Sequence, residues 1–262
     1  KGLSKAAKKA DRVAAEGLVA ARTSGVNGTV IEMNAETDFV ARNEDFQKLT
    51  GSVASVALAA NANDAAALAS AAYPSGGTVA DAISSAIATI GENMSLRRVS
   101  TMSVGQGIVA SYVHASVGED MGRIAVLGGL ESSAAAAGLA DIGRKVAMHV
   151  AASSPVALES SAIDPAVLER EKNVLAEKNA GKPPQVMEKI IESGLKTYFK
   201  EVCLLEQAFI HDTSKSVSQA VAEVGKAAGA DIKITGFVRY QVGEGIEKAE
   251  SDFAAEVAGM AG

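Results

Sequence analysis

The residues able to do chemistry are few and scattered. Three histidines, His114, His149 and His211, lie far apart, and no His-x-x-His or His-Glu-x-x-His pattern joins any two of them. The single cysteine, Cys203, falls on an apolar stripe beside Val202 and Leu204, where inert packing is its expected role. Glu44–Asp45 and Glu119–Asp120 are paired carboxylates. The first pair stands at a helix start and the second in a turn, where acids satisfy amides and suit the helix dipole. Neither phosphate-cradling pattern, G-x-x-x-x-G-K-[ST] or G-x-G-x-x-G, occurs; Gly105-Gln106-Gly107 and Gly243-Glu244-Gly245 are too short and read as turns. The expectation is a protein without catalytic chemistry, metal or cofactor, and binding leads as a function class.

One stretch stands apart from that inventory. NAETDFVARNEDF (34–46) puts Phe39 beside Asp38 at a polar joint between a strand-like run, GTVIEM, and a helix-like run, ARNEDFQKLT. Aromatic residues make up only 4% of the chain, so the placement of this ring needs a reason. On pattern alone Phe39 is a core residue closing the joint and Asp38 an N-cap for the helix that follows. A ring presented to another protein is the alternative.

The elements that would position these residues can be read from periodicity and punctuation. Residues 3–21 carry apolar positions at helical spacing, with a turn at Gly25 and Asn27–Gly28, then a strand from Thr29 to Met33 and a helix from Asn43 to Ala60. Asn61, Asn63 and Asp64 break the alanine-rich run that follows. Thr78 is placed to cap a helix that aligns Val79, Ile83, Ile87 and Ile90, and Gly91 to end it. Strands are expected at 94–104, 107–115 and 123–130, with SVGED as a turn, and a helix at 133–152. The order strand, polar joint, helix thus occurs twice, suggesting two related halves. Asp164-Pro165 starts another helix with Leu168 and Leu175 a heptad apart; Gly181-Lys-Pro-Pro breaks it, and an apolar stripe from Met187 to Val202 resumes. Two charged helices so joined read as a protruding antiparallel hairpin, although two ordinary core helices fit the same pattern. Ser216 opens a helix ending at 225–229, ITGFVRYQV (234–242) is a strand, and Ile246–Met260 fits a final helix.

Composition narrows the partners. The balance of 25 Lys+Arg against 31 Asp+Glu gives −6, a poor match to phosphate backbones, so no direct nucleic-acid contact is expected. No apolar run approaches a membrane span, and no membrane contact is expected. A lone cysteine excludes an intramolecular disulfide. Two competing readings are kept: an enzyme whose site assembles from the scattered histidines and carboxylates, and an RNA- or ribosome-associated accessory protein using the basic residues near the N-terminus.

Taken in order, SKAAKKADRVAAEG (4–17), EMNAETDFVARNEDF (32–46), IGENMSLRR (90–98), SYVHA (111–115), VAMHVAAS (146–153) and FVRYQVGEGIEKAESDFAAEV (237–257) resemble the elongation factor Ts family, nucleotide exchange factors for elongation factor Tu. The resemblance spans nearly the whole chain. It implies an α+β fold: two related core subdomains of antiparallel strands packed with helices, plus an antiparallel coiled-coil hairpin. The expected division is an N-terminal core subdomain with a leading helix at 1–105 and the first part of a C-terminal core subdomain at 106–163. The hairpin takes 164–205, and 206–262 complete the second subdomain with a C-terminal helix.

The family relation implies that Asp38 and Phe39 intrude near the partner's magnesium, with Thr37 supporting the turn and Val40 among the residues that contact the partner. Ile90 and Gly91 would line the same contact, with Glu92 and Asn93 beside them. His114 matches the family's histidine in the second subdomain, and Ile210 and His211 fall in a further contact region, where FIHD departs from the family pattern. Read from the residues alone, Ile90 also fits as core, Gly91 as a C-cap, and His114 as an exposed residue of a strand. The family carries an N-terminal helical module docking on the partner, and its place lies before Lys1; the core alone is expected to bind more weakly. A homodimer or a 2:2 complex with the partner is compatible with the family, as is a bacterial cytoplasm or, alternatively, an organelle matrix.

Overall fold

The computed structural model describes residues 6–247. Two antiparallel strands open it: β1 (Glu16–Ser24) and β2 (Asn27–Ala35) pair in unbroken register from Glu16↔Ala35 to Ser24↔Asn27. The helical spacing over 3–21 is therefore overturned beyond the single turn at residues 6–12. The run Leu18-Val19-Ala20-Ala21 is buried on both faces of a central strand, so the period-two signal that marks a half-exposed strand is absent. Gly17 marks the change: its φ is +117°, and an added Cβ would sit 2.2 Å from the Met33 carbonyl oxygen.

β3 (Met94–Ser103) flanks β2, and a two-residue strand, β5 (Met121–Gly122), flanks β1, giving the order β3-β2-β1-β5. A second antiparallel sheet has the order β4-β6-β9, from Gly107–His114, Ile124–Glu131 and Lys233–Gln241. Val19, Ala21 and Val30 of the first sheet meet Val109, Ala125, Leu127 and Tyr240 of the second in one buried cluster. The opposite face of the first sheet, through Leu18, Ile31 and Met33, packs on α1 (Glu44–Ala60) and α3 (Val79–Ile90). That of the second, through Val126 and Leu130, packs on α4 (Ala136–Ser153) and α7 (Val217–Ala228). Helices thus cover both outer faces of two stacked sheets, an α+β arrangement with antiparallel strands.

Local chemistry sets the helix bounds. Asn43 caps α1, accepting from the Phe46 amide at 3.0 Å, and Asp64 caps a short helix, α2 (Ala65–Ala69). Thr78 and Asp81 form a reciprocal capping box on α3; the Thr78 amide and hydroxyl hold the Asp81 carboxyl below the usual carboxylate range. Ser216 and Gln219 do the same for α7. The helix expected from Ser133 starts later, at Ala136.

α5 (Pro165–Lys178) and α6 (Pro184–Val202) form the two helices on either side of the Gly-Pro break. Neither has a fully buried residue, and they pack on each other where Gly194 lies against the Leu175 side chain. Among the described residues the pair is anchored at its base, with Val167, Leu168, Tyr198, Phe199 and Val202 around Ala157, Ile163 and Cys203. A small hairpin that periodicity did not reveal, β7 (Ala208–Phe209) and β8 (Asp212–Ser216), turns at Ile210–His211. The final helix expected at 246–260 lies largely outside the described residues.

Candidate partner-binding site

β2 ends at Ala35 and α1 starts at Glu44, and the joint between them is seated on both sides. Val40 and Ala41 are buried in a one-turn 3-10 helix, and the Arg42 and Asn43 amides close that turn on the Phe39 and Val40 carbonyls at 3.1 and 2.9 Å. With the following residues turned inward, the Phe39 ring is left outside: it is 77% exposed. The core reading of Phe39 is overturned. Phe46, one turn into α1, is the core aromatic, and Asn43 rather than Asp38 is the helix cap. Asp38 is exposed beside the ring. The expected partner contact at Val40 is overturned: its side chain is buried in the first core, so its place is to seat the joint.

The segment after α3 braces the same joint. Gly91 ends the helix with φ +93°, a left-handed conformation that turns Glu92 and Asn93 back toward residues 36–37. Glu92 accepts from the Thr37 hydroxyl at 2.6 Å and the Thr37 amide at 3.0 Å. Glu36 accepts in turn from the Asn93 amide at 2.6 Å. The Asn93 side chain donates to the Arg12 carbonyl at 2.7 Å, Arg12 pairs with Glu36 at 3.6 Å, and Lys9 donates to the Gly91 carbonyl. Ile90 is half-buried and packs against the first core. Charge-assisted bonds of this kind are the stronger class, so the joint that carries Phe39 is held from several sides.

Glu36, Lys9 and Arg12 escaped the reading of the sequence. Glu36 and Asn93 lie 57 residues apart, Lys9 and Gly91 82, and Arg12 and Asn93 81, and no local spacing signals such pairs.

The remaining candidates occupy other surfaces. His114 is exposed at the end of β4, an edge strand, its Nδ1 3.2 Å from the Tyr112 hydroxyl. Ile210 and His211 form the turn of the β7–β8 hairpin, with Ile210 40% exposed. His211 stacks edge-on against Phe209 at 5.0 Å, and its Nε2 lies 3.2 Å from the Lys145 carbonyl of α4. Cys203 is buried, and burial with Glu206 and Glu159 nearby pushes its thiol pKa up, which suppresses the reactive thiolate. Among the described residues no group of three His, Cys, Asp or Glu side chains is arranged to hold a metal ion, and no helix is long and apolar enough to cross a membrane.

The geometry is that of a projecting joint braced by hydrogen bonds, and comparison with known proteins gives its family. Residues 36–244 match the family described as Elongation factor TS. Proteins named Elongation factor Ts from Methylocella silvestris and Bradyrhizobium diazoefficiens are each 58% identical to this chain, over 263 and 264 residues. One from Rhodopseudomonas palustris is 59% identical over 266 residues. Each alignment covers 100% of this chain and 85% of the relative. The match begins at Glu36, the first residue of the braced joint, and the chain belongs to the elongation factor Ts family.

Proposed function

We propose that this chain is a translation elongation factor that binds elongation factor Tu and accelerates its release of GDP, with Asp38 and Phe39 as the inserted wedge. The observation that carries the reading is Phe39, 77% exposed on a joint fixed by Glu92, Glu36 and Asn93. A large aromatic ring left in water forgoes apolar burial unless a partner receives it. Burying it in a partner is worth about 1.5–3 kcal/mol, which offsets distortion of the partner's loops. Asp38 arrives beside the ring as a negative charge. Magnesium bridges nucleotide phosphates to protein oxygens, so disturbing its ligands removes a large local charge stabilisation.

Reciprocity fixes the direction of the cycle. A factor that weakens the partner's hold on GDP is weakened equally by GDP, so an incoming nucleotide expels it. The factor supplies no bond-making chemistry of its own. Thr37, Glu92 and Asn93 hold the wedge, Ile90 and Gly91 flank it, and His114 with Ile210–His211 forms further contacts. The two core subdomains fall at 1–105 and 106–163 continued from 206, with α5 and α6 as an antiparallel coiled coil between. The paired sheet faces, the helices outside them and the exposed hairpin support that division.

Release of a fluorescent GDP from elongation factor Tu tests the reading. The wild-type chain is expected to accelerate release at micromolar concentration, and Phe39→Ala to lose about tenfold or more of that acceleration, the size of a hot-spot truncation. Equal acceleration by both would overturn the wedge.

A further inference from the structure

His149 is completely buried on α4, yet neither the wedge nor the core packing requires an imidazole there. Its two ring nitrogens have opposite duties. Nδ1 lies 3.2 Å from the Ile210 amide, which can only donate, so Nδ1 accepts and carries no proton. Nε2 lies 2.8 Å from Gln207 Oε1 and donates to it. The amide orientation of Gln207 is fixed independently, because its Nε2 donates to the Glu201 carbonyl at 2.8 Å. Phe209 packs against the ring with centroids 5.9 Å apart. The tautomer is therefore dictated from both sides.

We infer that His149, neutral and protonated at Nε2, is a positioning residue that pins the Ile210–His211 turn against α4, and that acid releases this turn. The functional part rests on the reading above that Ile210 and His211 touch the partner. Protonation would place a second donor on Nδ1 facing the Ile210 donor and put a charge where no carboxylate meets the ring. Several charged groups on the elements packed around it have other partners, and Arg144 of α4 lies over the Tyr112 ring; Glu201 and Glu206 flank Gln207, with no hydrogen bond from either carboxylate to the imidazole among the described residues. Lys145 pairs with Asp141 on α4, Lys215 with Asp212 and Glu223, and Arg239 of β9 with the Ala151 carbonyl and Glu244. His211, across Phe209, adds only a like charge when protonated.

The sign follows from burial. Desolvation holds the pKa of His149 below the ordinary histidine value of about 6.5, and His211 adds in the same direction. With the turn open, the ring regains its ordinary value and takes up a proton first. The closed turn is fully stable above about pH 6.5 and loses stability as pH falls through that value.

The test is amide hydrogen exchange at Ile210 in the full chain, corrected for intrinsic rates, at about pH 7.5 and about pH 5.5. Protection is expected to drop roughly five- to tenfold at the lower pH, the scale of one hydrogen bond. His149→Gln, which lacks an acceptor at the Nδ1 position, should show the reduced protection at both pH values. His149→Asn, which keeps an acceptor there, should retain protection and lose the pH response. Unchanged Ile210 protection in the wild type between the two pH values overturns the inference even if a variant fails to fold. In the GDP-release assay His149→Gln should raise the half-saturating factor concentration by a similar factor and leave the saturating rate unchanged. If Ile210 protection responds but neither His149→Gln nor Ile210→Ala shifts half-saturation, the positioning stands and the partner contact of this turn is what fails.

Discussion

Phe39 and Glu92 divide the labour of the proposed wedge, one as the inserted group and the other as its support. Because Phe39 is exposed, Phe39→Ala should change unfolding free energy by no more than about 0.5 kcal/mol, measured by urea titration, while exchange activity falls. Glu92→Ala removes both bonds to Thr37 and frees the joint. Its expected cost in stimulated GDP release is about three- to tenfold, the scale of one ordinary net hydrogen bond. Since Glu92 acts through the wedge, the Phe39→Ala, Glu92→Ala double variant should be no worse than Phe39→Ala alone; additive losses would show that Glu92 touches the partner independently. The pattern around residues 34–46 revealed the joint but not the direction of the ring. What turns Phe39 outward is the burial of Val40 and Ala41 and the grip of Glu92 and Asn93, and those depend on residues brought together by the fold.

At the scale of elements, punctuation was the most legible part of the chain. Thr78 and Gly91 bound α3, Asp164 and Pro165 open α5, and Ser216 opens α7, all through side-chain or backbone chemistry confined to a few residues; the cap of α1 is the exception, at Asn43 and not at Asp38. β1 was misread because it is buried on both faces, and alternation carries no information for such a strand. The β7–β8 hairpin went unseen because its strands are short and its turn is held by His149, some 60 residues earlier in the chain. The α5–α6 pair offers an element-scale test. A Cβ at Gly194 would come within 2.6 Å of Leu175, so Gly194→Leu overpacks the contact at a cost of about 1–3 kcal/mol. Amide exchange should accelerate across 165–202 and stay unchanged in β2; protection unchanged in both would contradict the packing.

Across the whole molecule, one buried carboxylate joins the two sheets. Glu32 of β2, fully buried, accepts from Arg97 at 3.2 Å, Arg98 at 2.5 Å, Asn34 at 2.9 Å and the Gly243 amide at 2.8 Å. Arg98 also donates to the Gln241 carbonyl at 3.0 Å and lies 4.1 Å above the Tyr240 ring, so the end of β9 is held to β3 through the same hub. Glu32→Ala removes the carboxylate from two half-buried guanidinium groups, leaving Arg98 only its outer contacts to Gln241 and Glu244, with an expected loss of about 3 kcal/mol in thermal or urea unfolding. A change below about 0.5 kcal/mol would show that the hub is incidental. These anchors hold a rigid frame from which the 36–39 joint projects, and the account stands on that projection entering elongation factor Tu. Its most direct test is the rate of fluorescent GDP release from elongation factor Tu with wild-type chain and with Phe39→Ala at matched, folded concentrations. Acceleration by the wild type and a loss of about tenfold or more in the variant are expected. Equal rates with the two proteins would contradict the wedge.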